Sequence, residues 1–240
     1  MKIQEEEFCL SMVCLQEYPN GCTVGDIVDS SILQSVLLAN QAQCHLELGQ
    51  PAECIEVRVN LSESERLLYA TAEPEEKYRY CSTTQTKSEV VQELVAYHAN
   101  EQILVIGQYI TQLDALSETL GVPLIKGDTP VKERERLFAA FRTGEITCLV
   151  VSKVANFSID LPDATIAIQV SGAFGSRQEE AQRLGRILRP KSDGRGAKFY
   201  SVVSRDTVDQ DFAANRQRFL AEQGYAYRII DADDVFQGKI

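Results

Sequence analysis

Short apolar runs alternate with amphipathic stretches through most of the second half of the chain. QILVIG (102–107), ITCLVVS (146–152), TIAIQV (165–170) and AKFYSVVS (197–204) are nearly continuous apolar runs, as expected of strands covered on both faces. Between them lie stretches with helical periodicity. YITQLDALSETLG (109–121) is closed by Gly121, and TPVKERERLFAAFRTG (129–144) has Thr129 as its cap, Pro130 in its first position and Gly144 as its stop. SRQEEAQRLGRILR (176–189) and RDTVDQDFAANRQRFLAEQG (205–224) read as two more helices. VPLIKG (122–127) is a short strand and YAYRIID (225–231) an edge strand. Upstream, CIEVRV (54–59) alternates as a strand, Ser62 and Glu65 frame a capping box for a short helix over 60–70, and KSEVVQELVAYHA (87–99) is a periodic helix. Residues 29–43 look helical and residues 20–26 look like a turn. Strands alternating with helices of roughly a dozen residues predict crossover units and an α/β parallel sheet. In such sheets function gathers where strands end, here Gly107–Tyr109, Lys126–Thr129, Ser152–Asp160 and Ser171–Arg189.

Charge adds a local signal to this frame. The chain carries 24 Lys and Arg against 35 Asp and Glu, a net −11. Residues 1–75 hold 13 acids and 3 bases, so −10, and the remainder is close to neutral. Within 176–198 the balance reverses: seven bases and three acids give +4. The whole chain repels nucleic acid at long range, while this strip suits phosphate. Cysteines 9, 14, 22, 44, 54, 81 and 148 form no CxxC pair, so reduced thiols are expected and no metal site. Neither His45 nor His98 has a ligand-like neighbourhood. No apolar run reaches the ~18 residues that span a bilayer. The first residues are acidic where a secretory signal is basic, and a cytoplasmic protein without membrane contact is expected.

The 176–189 helix is two-faced. Ala181, Leu184, Ile187 and Leu188 share one flank, while Gln182, Arg186 and Arg189, at i, i+4 and i+7, fall within a ~60° sector of the other. Geometry alone allows a solvated basic face with pairs such as Glu179–Arg183. It equally allows two guanidiniums aimed at phosphoryl oxygens, which they bind in two-toothed fashion.

QRLGRILR resembles motif VI of superfamily 2 helicases, and GSRQEEAQRLGRILRP that of their XPB-type branch. VVSKVANFSIDLPDA (150–164) resembles the branch's motif V. ILVIGQY (103–109), with IKGDTP (125–130), resembles motif IV and the segment after it. The resemblance covers residues 50–235 and implies a RecA-like, P-loop-NTPase-like lobe, the second of two that hold ATP between them and single-stranded nucleic acid across their tops. It implies arginine fingers at Arg186 and Arg189, and nucleotide contacts at Gln182 and Asp160. It further implies DNA contacts at Ser152 and Lys153, with Gln108, Gly127 and Thr129 along the same groove. On this reading residues 49–235 are the helicase C-terminal domain, 1–48 an unassigned acidic segment and 236–240 a tail.

These 240 residues contain no GxxxxGK[ST] loop and no DEAH-type acidic box. ATP and Mg²⁺ would then be held mainly by a first RecA-like lobe or separate helicase subunit, and this polypeptide alone should neither turn over ATP nor unwind DNA. Two other readings are a non-catalytic module that binds nucleic acid or a protein partner, and another doubly wound domain such as the acceptor half of a glycosyltransferase. The second leaves Gln182, Arg186 and Arg189 on one flank unexplained.

Overall fold

The apolar runs of the sequence become the centre of one parallel sheet. In the computed structural model the described residues are 53–152, 164–172, 196–222 and 224–240. They lie in the second of two compact units, Leu38–Ile240. In chain order the described elements are β1 (Glu53–Val59), α1 (Glu63–Thr71), α2 (Pro74–Ser82), α3 (Gln85–Tyr97), β2 (Ile103–Gly107), α4 (Ile110–Leu120), β3 (Leu124–Ile125), α5 (Val131–Thr143), β4 (Cys148–Ser152), β5 (Ile166–Gln169), β6 (Lys198–Ser204), α6 (Val208–Glu222), β7 (Ala226–Asp231) and α7 (Ala232–Phe236).

The strands stand in the order β3-β4-β2-β5-β6-β1-β7, and every pair is parallel. β2, β4 and β5 are buried at every position, which is why they read as continuous apolar runs. Alternate residues feed two cores. Leu104, Ile106, Leu149, Val151, Ala167 and Phe199 meet α5 and α6 through Phe138, Phe141, Phe219 and Leu220. Val105, Val150, Ile168, Tyr200 and Val202 meet α3, α4 and α7 through Val91, Leu94, Leu113, Leu116 and Val235. Helices therefore cover both faces, and the expected RecA-like class of parallel sheet is present.

Local signals set the helix ends. Ser62 and Glu65 form the expected capping box. Gly121 and Gly144 end α4 and α5 with positive φ of 65° and 77°, where a Cβ would be strained. β7 is an edge strand tied down by Arg228 on Glu53 and by the Tyr227 hydroxyl on Glu56. Two helices were not foreseen: α2, and α7 with its Asp231–Asp234 capping box.

Direction along the sheet reverses beside β2. The connection leaving β2 runs toward β3 and β4, whereas the one leaving β5 runs toward β6. The carboxyl ends of β2 and β5 therefore flank a topological switch point, the crevice where open α/β sheets bind ligands.

Candidate functional site

Packing is tight at the switch point. A Cβ on Gly107 would lie 2.6 Å from Leu113 Cδ2 and 3.1 Å from Ser171 Oγ, so any larger residue at the end of β2 would push these side chains aside. The next residue spans the crevice: the Gln108 backbone N–H donates to Ser171 Oγ at 2.9 Å. Ser171 Oγ in turn donates to Gln112 Oε1 at 2.9 Å, and Gln112 Nε2 donates to the Ser82 carbonyl at 2.9 Å. This chain fixes the backbone of Gln108 while leaving its side chain exposed. In the sheet register Gly107 faces Ser152 and Ile125 faces Val151. Gln108, Ser152 and the loop after β3 thus stand at the ends of three adjacent strands.

The loop after β3 is built as a closed turn. The Thr129 N–H donates to the Lys126 carbonyl, and Thr129 Oγ1 accepts from the Lys126 N–H, both at 3.0 Å. Arg134, one turn into α5, donates to the Gly127 carbonyl at 2.6 Å and to the Thr129 carbonyl at 2.7 Å. Thr129 was expected to cap α5. Instead Pro130 is the cap residue, in extended conformation, and Val131 the first helical residue, because the Thr129 hydroxyl is engaged by Lys126. Gly127 is exposed and Thr129 half-buried. Asp114 beside the Lys126 ammonium holds its pKa above the usual value.

The other side of the switch point is the exit of β5. Gly172, with φ of 155°, is held on both sides of its backbone. Its N–H donates to the Tyr78 hydroxyl at 2.8 Å, and its carbonyl accepts from Arg216 Nη2 at 3.0 Å and Gln169 Nε2 at 3.1 Å. Lys87 closes the bottom of this exit. The Lys87 side chain is fully buried, and its Nζ donates to the carbonyls of Val170 (3.2 Å) and Val202 (2.7 Å) and to Asp209 Oδ2 (2.6 Å). Asp209 Oδ2 also accepts from the Ser204 N–H at 2.9 Å. Four helices and two strands are thereby tied to three residues, Val170, Ser171 and Gly172.

Of the expected site residues, Gln108, Gly127, Thr129 and Ser152 lie together on the carboxyl edge. Ser152 is 1% exposed, so its hydroxyl sits beneath the edge rather than on it. Lys153, Asp160, Gln182, Arg186 and Arg189 lie outside the described residues. Gly172 is the last described residue before the stretch that carries the two arginines. Tyr78, Lys87, Gln112, Arg134 and Arg216 escaped the sequence reading; each is a polar residue on a helix, and all but Arg134 have partners distant in sequence. Among the described residues no group of His, Cys, Asp or Glu could hold a metal ion, and no helix is long and apolar enough to cross a membrane.

Comparison with known proteins agrees with this fold. Residues 42–239 match the family model described as ERCC3/RAD25/XPB C-terminal helicase. The chain is 72% identical over 188 residues to the DNA 3'-5' helicase XPB of Kineococcus radiotolerans, covering 78% of this chain and 34% of that protein. It is 68% identical over 185 residues to the protein of the same name from Mycobacterium tuberculosis, covering 77% and 34%. It is 42% identical over 151 residues to the Saccharomyces cerevisiae general transcription and DNA repair factor IIH helicase/translocase subunit XPB/SSL2, covering 60% and 18%. The chain thus spans about a third of the length of the two bacterial relatives. Among solved structures, the C-terminal domain of the DEAD-box protein Dbp5 superposes with a TM-score of 0.60 at 16% identity, covering 80% of this chain and 96% of that one.

Proposed function

We propose, from the premise that the chain belongs to the ERCC3/RAD25/XPB C-terminal helicase family, that it works as the second motor lobe of an ATP-driven DNA helicase. The observation that carries this reading is the switch point between β2 and β5. One of its walls bears the exposed Gln108, on the same carboxyl edge as the loop at Gly127. The other is the clamped β5 exit at Gly172, which precedes QRLGRILR in the sequence.

The two walls suit two tasks. Gln108, the turn at Gly127–Thr129, and Ser152 with Lys153 at the end of β4 would line the single-strand track. Backbone N–H groups and short polar side chains at strand ends fit phosphate without reading sequence. Arg186 and Arg189 would meet the γ-phosphate, with Gln182 and Asp160 about the nucleotide. Their guanidiniums would stabilise charge that develops as the terminal phosphoryl group leaves, a contribution of roughly 10³–10⁵ in rate where ATP and Mg²⁺ are already held. ATP and Mg²⁺ would be held mainly by a first RecA-like lobe, since the 240 residues carry neither a GxxxxGK[ST] loop nor a DEAH-type box. That lobe would be the chain's main protein partner.

The test combines the full chain with the portion of the Kineococcus relative that lies outside its match to this chain. DNA-stimulated ATP hydrolysis should appear in the mixture well above the sum of the two halves. Steady turnover by this chain alone, or no stimulation in the mixture, would refute the reading. One alternative, a module that binds single-stranded nucleic acid without turnover, would show salt-sensitive binding but no gain on mixing.

A further inference from the structure

We propose that Tyr78 is a positioning residue that couples occupancy of the nucleic-acid edge at Gln108–Tyr109 to the strand exit at Gly172. The inference rests on the function proposed above and assigns a role to a side chain on α2 that lies outside every motif in the sequence.

Three contacts converge on this one ring. The Tyr78 hydroxyl accepts the Gly172 N–H at 2.8 Å, and no other acceptor for that N–H occurs among the described residues. The ring lies 6.3 Å from that of Tyr109, tilted by 42°, and Tyr109 immediately follows the exposed Gln108. On its far side it meets Phe212 of α6 edge-on at 5.1 Å. Tyr78 is thus braced against α6, in contact with the β2 loop, and bonded to the β5 exit.

Tyr109 is only half-buried, so a base or sugar arriving at the β2 loop can press on it directly. The Tyr78 ring meets both Tyr109 and Phe212, so a push on Tyr109 is passed to the ring that carries the hydroxyl. Hydrogen bonds lose strength steeply with distance and angle, so a small shift there is felt at Gly172. The carbonyl of that same residue is fixed by Arg216 and Gln169, so a shift at the N–H is taken up by rotation about the Gly172 backbone bonds rather than by sliding of the strand end. A side chain at 172 would meet Gln169 Nε2 at 2.6 Å, so only glycine tolerates this arrangement. Burial, and then the charge of Asp209, raise the Tyr78 pKa well above its usual value, so the hydroxyl stays protonated at working pH.

Tyr78→Phe removes the hydroxyl and keeps the ring. In the reconstituted mixture, kcat at saturating single-stranded DNA should fall roughly three- to tenfold. The DNA concentration for half-stimulation should stay as in the wild type. The melting temperature should fall by no more than the few degrees that one buried N–H left without its acceptor costs. An unchanged kcat, or a loss of kcat that tracks weaker DNA binding or a larger fall in melting temperature, would overturn the proposal. Hydrogen exchange on the full chain alone gives an independent reading. Adding single-stranded DNA should change the exchange of the Gly172 amide in the wild type and not in Tyr78→Phe; equal responses would likewise overturn it. Arg189→Ala serves as control. Should that variant keep full activity, the motor-lobe reading itself fails; should it lose activity while Tyr78→Phe keeps it, this inference alone fails.

Discussion

Replacing Lys87 by Met should destabilise the domain by about 3–5 kcal/mol, the usual cost of removing one partner from a buried ion pair. Methionine nearly matches lysine in length, so the packing change is small and the polar loss dominates. In the native protein the Lys87 ammonium satisfies the Asp209 carboxylate and the carbonyls of Val170 and Val202 at once. After the change Asp209, itself 5% exposed, keeps only the Ser204 N–H among the partners described for its carboxylate. Two strand carbonyls also lose a donor, at about 1 kcal/mol or more each if water cannot reach them. For a domain of this size that amounts to a melting temperature lower by roughly 10 °C. Denaturant unfolding followed by circular dichroism measures it, with Asp209→Asn and the double variant completing a cycle. The double variant should be less damaged than the sum of the singles, since neither charge is then stranded. A Lys87→Met loss below about 1 kcal/mol, or strict additivity in the cycle, would show that the pair does not hold the β5 exit.

Three further outcomes are expected. Gly107→Ala should cost about 1–3 kcal/mol, because its Cβ would meet Leu113 Cδ2 at 2.6 Å. It should also weaken single-strand binding by displacing Gln108, as fluorescence anisotropy would show. Arg134→Ala should lower DNA affinity with little change in melting temperature, since it frees the Gly127 and Thr129 carbonyls on a largely exposed loop; unchanged affinity would remove that loop from the track. His98 is held neutral because burial lowers its pKa, with the Glu101 carboxylate opposing in part. A histidine depressed in the folded state favours the unfolded state on protonation, so stability should fall as pH drops below about 6.5. His98→Asn should flatten that part of the melting curve against pH, and an identical curve would contradict the assignment.

The fold was legible wherever burial is complete. β2, β4 and β5 are covered on both faces, so each position had to be apolar and the run itself marked the strand. Capping signals were equally readable at Ser62, Gly121 and Gly144, because each acts within a few residues of itself. α2 was missed because its sequence, PEEKYRYCS, buries only a cysteine and a serine and offers no apolar stripe. The site divided along the same line. The resemblance named Gln108 and Gly127, and the structure puts both just past strand ends. Lys87 drew no reading of its own, since its partner Asp209 stands 122 residues away. Nothing local marks a lysine as buried. Tyr78 and Arg216 were hidden for the same reason: each acts on Gly172 across a sheet edge that exists only once the chain has folded.

The most direct test of the motor-lobe account is the DNA-stimulated ATPase of the reconstituted mixture when this chain carries Arg189→Ala. The account predicts a fall in kcat of roughly 10³-fold or more, with single-strand affinity unchanged. ATP hydrolysis at the wild-type rate would contradict it.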